Sequence, residues 1–421
     1  MQSRFYLCID LKSFFASVEA VDRGLDPFTT NLVVADPSRG NGAICLAITP
    51  AMKKLGVKNR CRIFEIPKRI EYITALPRMK LYMETSAKIY GIYLKYVSAD
   101  DIHVYSIDEC FIDITHYLST YNKTPKEMAQ MLMDAVMKET GICATAGIGT
   151  NMFLAKIALD ITAKHSPNNI GYLDEEEFKK QIWHHSPITD IWNIGNGIAT
   201  RLARYGVYDL YGVTKMSEQT LYREFGVNAE FLIDHAHGIE PCTIEDIHNY
   251  KSKSNSISNG QILFEDYNYE DTFLVVKEMV DVLVLELVEK HMVTNNISLS
   301  IGYSKDVHIP TGGSKKLNKY TNSYKEIVKE FEKLYRDKTV TDTPIRKINI
   351  GLNNIVDEDT VAFQLDLFTD VAASEKERKV QNAVLNIKNK FGKNAVLRGI
   401  SLEKKATART RNKLVGGHNG E

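Results

Sequence analysis

Apolar positions along this chain recur with two spacings, and the switching between them marks out its elements. Phe5-Tyr6-Leu7-Cys8-Ile9 is an unbroken apolar run of strand length that stops at Asp10, and a helical spacing follows at once through Phe14-Phe15-Ala16-Ser17-Val18. The same reading predicts strands over 4–9, 31–35, 43–47, 102–106, 110–115 and 144–149, with helices over 13–22, 50–55, 79–96, 126–139 and 151–163. Pro167 and Asn168-Asn169 interrupt the pattern before a helical stretch running to about residue 240. Lys251 to Gly260 is polar, basic and serine-rich, the composition of a linker between domains. Beyond it a second mixed unit covers 255–360, with a helix over Phe273 to Val288 and a half-buried strand alternating through Ile297-Ser298-Leu299-Ser300-Ile301. Strands, helices and one hairpin in this order predict an α+β fold whose first unit is ferredoxin-like, with helices on one face of its sheet.

Candidate chemistry sits where two of these strands end. Asp108-Glu109 occupies the turn between the apolar runs Val104-Tyr105 and Cys110-Phe111-Ile112. Alone, an acidic pair at a turn is explained by the backbone hydrogen bonds that Asp makes there. Asp10 changes the reading, because it too closes a buried strand, and carboxylates there are costly unless a cation neutralises them. Hard oxygen ligands on a rigid sheet are what a pair of Mg²⁺ ions needs in order to orient a triphosphate.

Lys and Arg balance Asp and Glu at 53 each, yet the charge is segregated. Residues 51–69 hold seven basic side chains against one Glu, and 374–413 hold twelve against three acids, whereas 98–113 hold five acids and no Lys or Arg. Basic surfaces around an acidic pit suit a protein that handles phosphates and metal ions together. No apolar run reaches 18 residues and Asp10 interrupts the N-terminal one, so neither a membrane span nor a signal peptide is expected. The six cysteines form no C-x-x-C pair and read as free thiols of a cytoplasmic protein.

Three motifs, taken together, resemble those of the Y-family, lesion-bypassing DNA polymerases, most nearly the UmuC-like branch of Gram-positive bacteria. They are Ile9-Asp10-Leu11-Lys12-Ser13-Phe14-Phe15-Ala16-Ser17-Val18-Glu19, Tyr105-Ser106-Ile107-Asp108-Glu109, and Ala146-Gly147-Ile148-Gly149-Thr150-Asn151-Met152-Phe153-Leu154-Ala155-Lys156. The resemblance spans roughly residues 4 to 415 and implies a right-hand polymerase. Its palm would be 1–28 and 77–166, with fingers 29–76, a helical thumb 167–240, a linker 241–254, an α+β little finger 255–360, and a clamp-binding motif with a basic tail over 361–421. By the same resemblance Asp10, Asp108, Glu109 and the Leu11 carbonyl would hold two Mg²⁺ ions. Ser13, Phe14, Phe15, Lys53, Lys156 and Lys164 would meet the incoming dNTP, the Phe15 ring excluding a 2′-hydroxyl and Lys156 approaching triphosphate or metal-site charge. Lys164 stands one residue farther from Lys156 than in the commonest branch, and Asp160 is read as structural.

In the fingers the chain departs from the family, which grips the triphosphate with a Tyr and an Arg where this chain has Pro50 and Lys53. Lys53 offers charge as a point donor and not as a planar fork. Ile191-Trp192-Asn193-Ile194-Gly195-Asn196-Gly197 resembles a helix-hairpin-helix that grips DNA backbone through Gly195 and Gly197, although a plain glycine turn between helices would look the same. Gln364, Leu367 and Phe368 resemble a sliding-clamp-binding peptide. Primer–template DNA, dNTPs, a clamp and SOS accessory proteins are the expected partners of a monomeric enzyme in the cytoplasm. The rival readings are a nucleotide cyclase on a similar palm and a catalytically weak clamp- or DNA-binding accessory protein.

Overall fold

Strand β1 (Tyr6–Leu11) is apolar because both of its edges are paired inside a sheet: five of its six residues are buried. A computed structural model describes residues 4–252, 255–304, 307–361 and 371–420, which divide into two units after Tyr250. The first unit continues with α1 (Phe14–Asp22), β2 (Leu32–Val34), β3 (Ala47–Ile48), α2 (Pro50–Lys54), β4 (Ile73–Ala75) and α3 (Met79–Tyr93). Next come β5 (Ile102–Val104), β6 (Glu109–Asp113), α4 (Thr115–Tyr121), α5 (Pro125–Thr140), β7 (Ala144–Gly149), α6 (Met152–Ile157) and β8 (Ile170–Leu173). Helices α7 (Glu175–Gln181), α8 (Asn196–Ala203), α9 (Leu210–Thr214), α10 (Glu218–Phe225), α11 (Ala229–Ala236) and α12 (Ile244–Asn249) complete it.

The main sheet has the order β5-β6-β1-β7-β8, antiparallel except for the β7–β8 edge. Helix α5 crosses one face; Thr124 and Glu127 cap its start reciprocally, Pro125 opens it, and Gly141 stops it in the left-handed region at φ 70°. On the other face α6 lies almost on the strand backbone. A Cβ on Gly147 would stand 2.1 Å from the Ala155 carbonyl oxygen, and one on Gly149 would stand 2.2 Å from the Ala155 nitrogen. The glycines of Ala146-Gly147-Ile148-Gly149 therefore serve close helix–strand packing.

Three boundaries differ from the expected ones. Residues 170–173 form β8, so the main sheet runs on past 166, the expected end of its domain, and the helical stretch begins at α7. Helix α12, expected within a linker, packs Ile244 and Ile247 against Tyr6, Phe111 and Met152. The basic tail is folded over 371–420, as described below. The expected 43–47 strand shrinks to β3, which joins β2 and β4 in a separate three-stranded sheet with its own core of Val33, Ile48 and Met52.

The second unit comprises β9 (Ile257–Tyr267), α13 (Tyr269–Glu289), β10 (Met292–Tyr303), β11 (Thr311–Thr321), α14 (Tyr324–Lys338) and β12 (Ile345–Asn353), followed by α15 (Val371–Phe391) and α16 (Ala408–Arg411). Its sheet has the order β11-β10-β12-β9. Alternate residues such as Ile297, Leu299 and Ile350 turn into a core shared with α13 and α14. The C-terminal segment is anchored on that helical layer. Glu278 of α13, 5 % exposed, accepts from the Thr407 and Ala408 N–H groups at 2.8 and 3.1 Å. Arg398 pairs with Asp281 and lies 3.5 Å from the Tyr324 ring centre. Gln364, Leu367 and Phe368 lie outside the described residues.

Candidate active site

Register brings the three carboxylates together. Asp10 stands opposite Glu109 across β1 and β6, and the Leu11 N–H donates to the Asp108 carbonyl at 2.9 Å. The turn that carries Asp108 is tight: Tyr105 and Ser106 both donate their N–H groups to the Glu109 carbonyl, at 3.0 and 2.9 Å. Ser106 Oγ donates to Asp108 Oδ1 at 2.7 Å, which orients that carboxylate.

Crowding registers on Asp10. Burial first, then Asp108 and Glu109, push its carboxyl up to about 7, against the pull of Lys156. Ser13 stands in the left-handed region at φ 51°, and its buried Oγ has no hydrogen-bond partner. A crowded, under-neutralised carboxylate set fits a hard divalent cation. Glu109 faces another way: its carboxylate takes Lys156 Nζ at 2.7 Å and the Cys8 thiol at 3.0 Å. Among the described residues no group of three or more His, Cys, Asp or Glu is arranged to hold a metal ion.

Lys156 is a nearly buried counter-charge between Glu109 and Asp160, the latter at 3.1 Å. Burial lowers its pKa, but Cys8, Glu109 and Asp160 outweigh that and leave it raised. Between Lys156 and Lys164 the helix widens into a π turn over Ala158–Thr162, a local feature common at functional sites. Lys164 is thereby close enough to influence Lys53. Desolvation lowers the Lys53 pKa, Asp10 raises it, and Lys164 and Lys12 lower it again. Lys53 thus feels both the Asp10 carboxylate and two further ammonium groups. Lys12 went unread in the sequence because it lies inside a motif dominated by its neighbours; its Nζ donates to Asn169. Pro50 is a helix opener, following Thr49, whose hydroxyl donates to the Thr30 carbonyl at 2.8 Å.

The two phenylalanines separate. Phe14 is 2 % exposed and belongs to the core under the main sheet, which leaves it no surface for the expected contact with a nucleotide. Phe15 is half-buried and stacks on Tyr82 with centroids 4.4 Å apart and planes at 15°. The Tyr82 hydroxyl donates to Glu19 at 2.8 Å, and Glu19, fully buried, also accepts from Arg78 at 3.0 and 2.7 Å and from Arg23. Burial would raise the Glu19 pKa, yet these donors hold it below the ordinary range. Tyr82 therefore forms a fixed backing for the Phe15 ring. In the sequence it was one apolar position of a helix, with nothing to mark its partner.

Gly195 and Gly197 lie at the exposed start of α8. Neither has positive φ, and a Cβ at either would meet nothing within 4 Å. The chain's own packing does not demand glycine at these two positions.

Geometry of this kind has matches among known proteins. The impB/mucB/samB family profile matches residues 9–160, and that of the family's C-terminal domain matches 254–367. A Bacillus subtilis (strain 168) protein named UvrX, for UV-damage repair, is 35% identical over 98% of this chain and 97% of its own length. DNA polymerase IV 2 of the same organism is 31% identical over 99% of both chains. Among solved structures, the Y-family DNA polymerase chimera Dbh-Dpo4(243-245)-Dbh shares the fold, with a TM-score of 0.63 and 21% identity over 84% of this chain and 99% of that one. The chain belongs to the impB/mucB/samB family, the Y family of lesion-bypass DNA polymerases. It is a DNA-directed DNA polymerase of mixed α+β architecture, acting on primer–template DNA and dNTPs, in a family that uses divalent metal ions. Among the described residues no helix is long and apolar enough to cross a membrane.

Proposed function

We propose that this polymerase adds dNTPs to a primer 3′-hydroxyl opposite damaged template bases at the site built by Asp10, Asp108 and Glu109, with two Mg²⁺ ions. The crowded carboxylate set, with Asp10 raised to about 7, carries the reading. Bound by Asp10, Asp108, Glu109 and the Leu11 carbonyl, the ions would supply a lowered pKa for the attacking hydroxyl and charge neutralisation for the leaving pyrophosphate. Lys53, Lys164 and Lys12 hold the triphosphate, and Lys156 keeps Glu109 in place through their 2.7 Å pair. Open surroundings at Gly195 and Gly197 support a close approach of DNA backbone there. In the second unit Ser298, Ser300, Ser314, Lys316, Lys347 and Asn349 sit on the sheet face away from the core, a polar, cationic surface suited to phosphates. Single-nucleotide primer extension with Mg²⁺ tests the whole; no product with dNTP and an undamaged template would refute it.

Phe15 sets sugar choice in this reading. Phe15→Ala should raise ribonucleotide incorporation relative to deoxynucleotide by at least tenfold, because a steric barrier disappears and no ligand is lost, while Phe14→Ala should act through stability. Competing rNTP and dNTP incorporation measures the ratio, and an unchanged ratio would remove Phe15 from the sugar pocket.

Gln364, Leu367 and Phe368 recruit a sliding clamp, with SOS accessory proteins as further partners at the cytoplasmic nucleoid. A pocket-filling Leu-Phe pair with an orienting Gln supports this, and tethering raises processivity through effective concentration. Leu367→Ala with Phe368→Ala should abolish clamp-stimulated synthesis and leave unassisted single-nucleotide addition intact. Equal stimulation of the double mutant in a clamp-loading extension assay would overturn the assignment.

A further inference from the structure

Trp192 stands one residue before the exposed turn that carries Gly195 and Gly197, and it reaches back to the catalytic hairpin. Its Nε1–H donates to the Tyr105 hydroxyl at 3.1 Å, and the two rings meet edge to face with centroids 5.9 Å apart. Tyr105 closes the turn that carries Asp108, its N–H donating to the Glu109 carbonyl. The indole also packs on Phe111 of β6 at 6.0 Å. On its other side Trp192 lies parallel to His235, with 16° between planes, and His235 stacks on Phe153 with centroids 4.0 Å apart. Phe153 belongs to α6, the helix whose Lys156 pairs with Glu109. His235 is fixed in turn by Glu240 at 3.0 Å, with both side chains nearly buried.

Two routes therefore leave one indole and end on the same carboxylates. One runs through Tyr105 and the hairpin backbone to Asp108 and Glu109; the other runs through His235, Phe153 and α6 to Lys156 and Glu109. We infer that Trp192 is a positioning residue that ties the DNA-contacting turn at 193–197 to the placement of Asp108 and Glu109. The inference rests on the proposed reading of that turn as a DNA-backbone grip. A stack that only filled space would need neither the N–H donor nor the Tyr105 hydroxyl. That polar link, between two half-exposed aromatic residues, makes the coupling directional.

Trp192→Phe and Tyr105→Phe test it in the full-length chain, because each keeps an aromatic ring and removes one partner of the hydrogen bond. Single-turnover nucleotide addition at saturating primer–template should slow about fivefold in each variant, the kinetic equivalent of one neutral hydrogen bond. Primer–template Kd should stay within twofold of wild type, and the double variant should be no slower than either single one. Unchanged addition rates, a loss confined to DNA affinity, or additive losses in the double variant would each overturn the inference. Should Trp192→Phe fold poorly, Tyr105→Phe decides alone, since it removes a single hydroxyl from a residue 45% exposed. Primer–template affinity of Gly197→Ala reports on the grip separately, so the two failures are distinguishable.

Discussion

Asp108→Ala should abolish nucleotide addition while primer–template binding survives. The carboxylate sits on the tight turn next to Glu109, which faces Asp10 across the sheet, and Ser106 orients it at 2.7 Å. Losing a ligand from a phosphoryl-transfer site removes about 4 kcal/mol or more of transition-state stabilisation, roughly a thousandfold in rate. Asp10→Ala should do the same. DNA affinity depends on basic and polar surfaces elsewhere, so filter binding or anisotropy should give a Kd near that of wild type. Near-wild-type addition by either variant would place the chemistry at another site.

Glycine substitutions should divide into two opposite kinds. Gly147→Ala drives a methyl group to within 2.1 Å of the Ala155 oxygen and 2.2 Å of the Leu159 nitrogen, both backbone atoms of the helical layer above β7. No side chain can swing aside there, so helix and sheet must part, and overpacking should destabilise the chain by about 3 kcal/mol or more. A large drop in the unfolding midpoint, with low soluble yield, is the expected observation. Gly197→Ala meets nothing within 4 Å and lies inside α8, so stability should hold or rise by up to about 1 kcal/mol. What should suffer is primer–template affinity. A stable Gly147→Ala protein would mean that the close contact relaxes freely, and unchanged DNA affinity in Gly197→Ala would remove the turn from the DNA interface.

Those two glycines illustrate what a sequence can and cannot convey. Both lie in short glycine-containing motifs, yet one is demanded by a neighbour in the fold and the other by nothing in the chain. Asp10, Asp108 and Glu109 were legible because charge at the end of an apolar strand is locally costly, and local cost leaves a local pattern. Lys156 stays ambiguous in the sequence because the same lysine suits a phosphate or a carboxylate, and only the fold presents Glu109 at 2.7 Å. Phe14 and Phe15 are adjacent and alike in composition; helix phase separates them, burying the first and stacking the second on Tyr82. Strand β8 was missed because Ile170-Gly171-Tyr172-Leu173 is short and follows a proline-asparagine break, so its strand character comes from pairing with β7. The C-terminal segment reads as a solvated basic tail because its anchors, Thr407 on Glu278 and Arg398 on Asp281, join residues more than a hundred positions apart.

The π turn at Ala158–Thr162 has a mechanical consequence. One residue more in a regular helix would rotate all that follows by about 100°. Here the widening is confined to a single turn, so Ala155 and Leu159 stay seated on the glycine floor of β7 while the turn sets the direction of what lies beyond, Lys164 included. Lys164 in turn is one of the ammonium groups that lower the Lys53 pKa. A helical defect on one side of the sheet is thereby linked to the charge state of a lysine in another element.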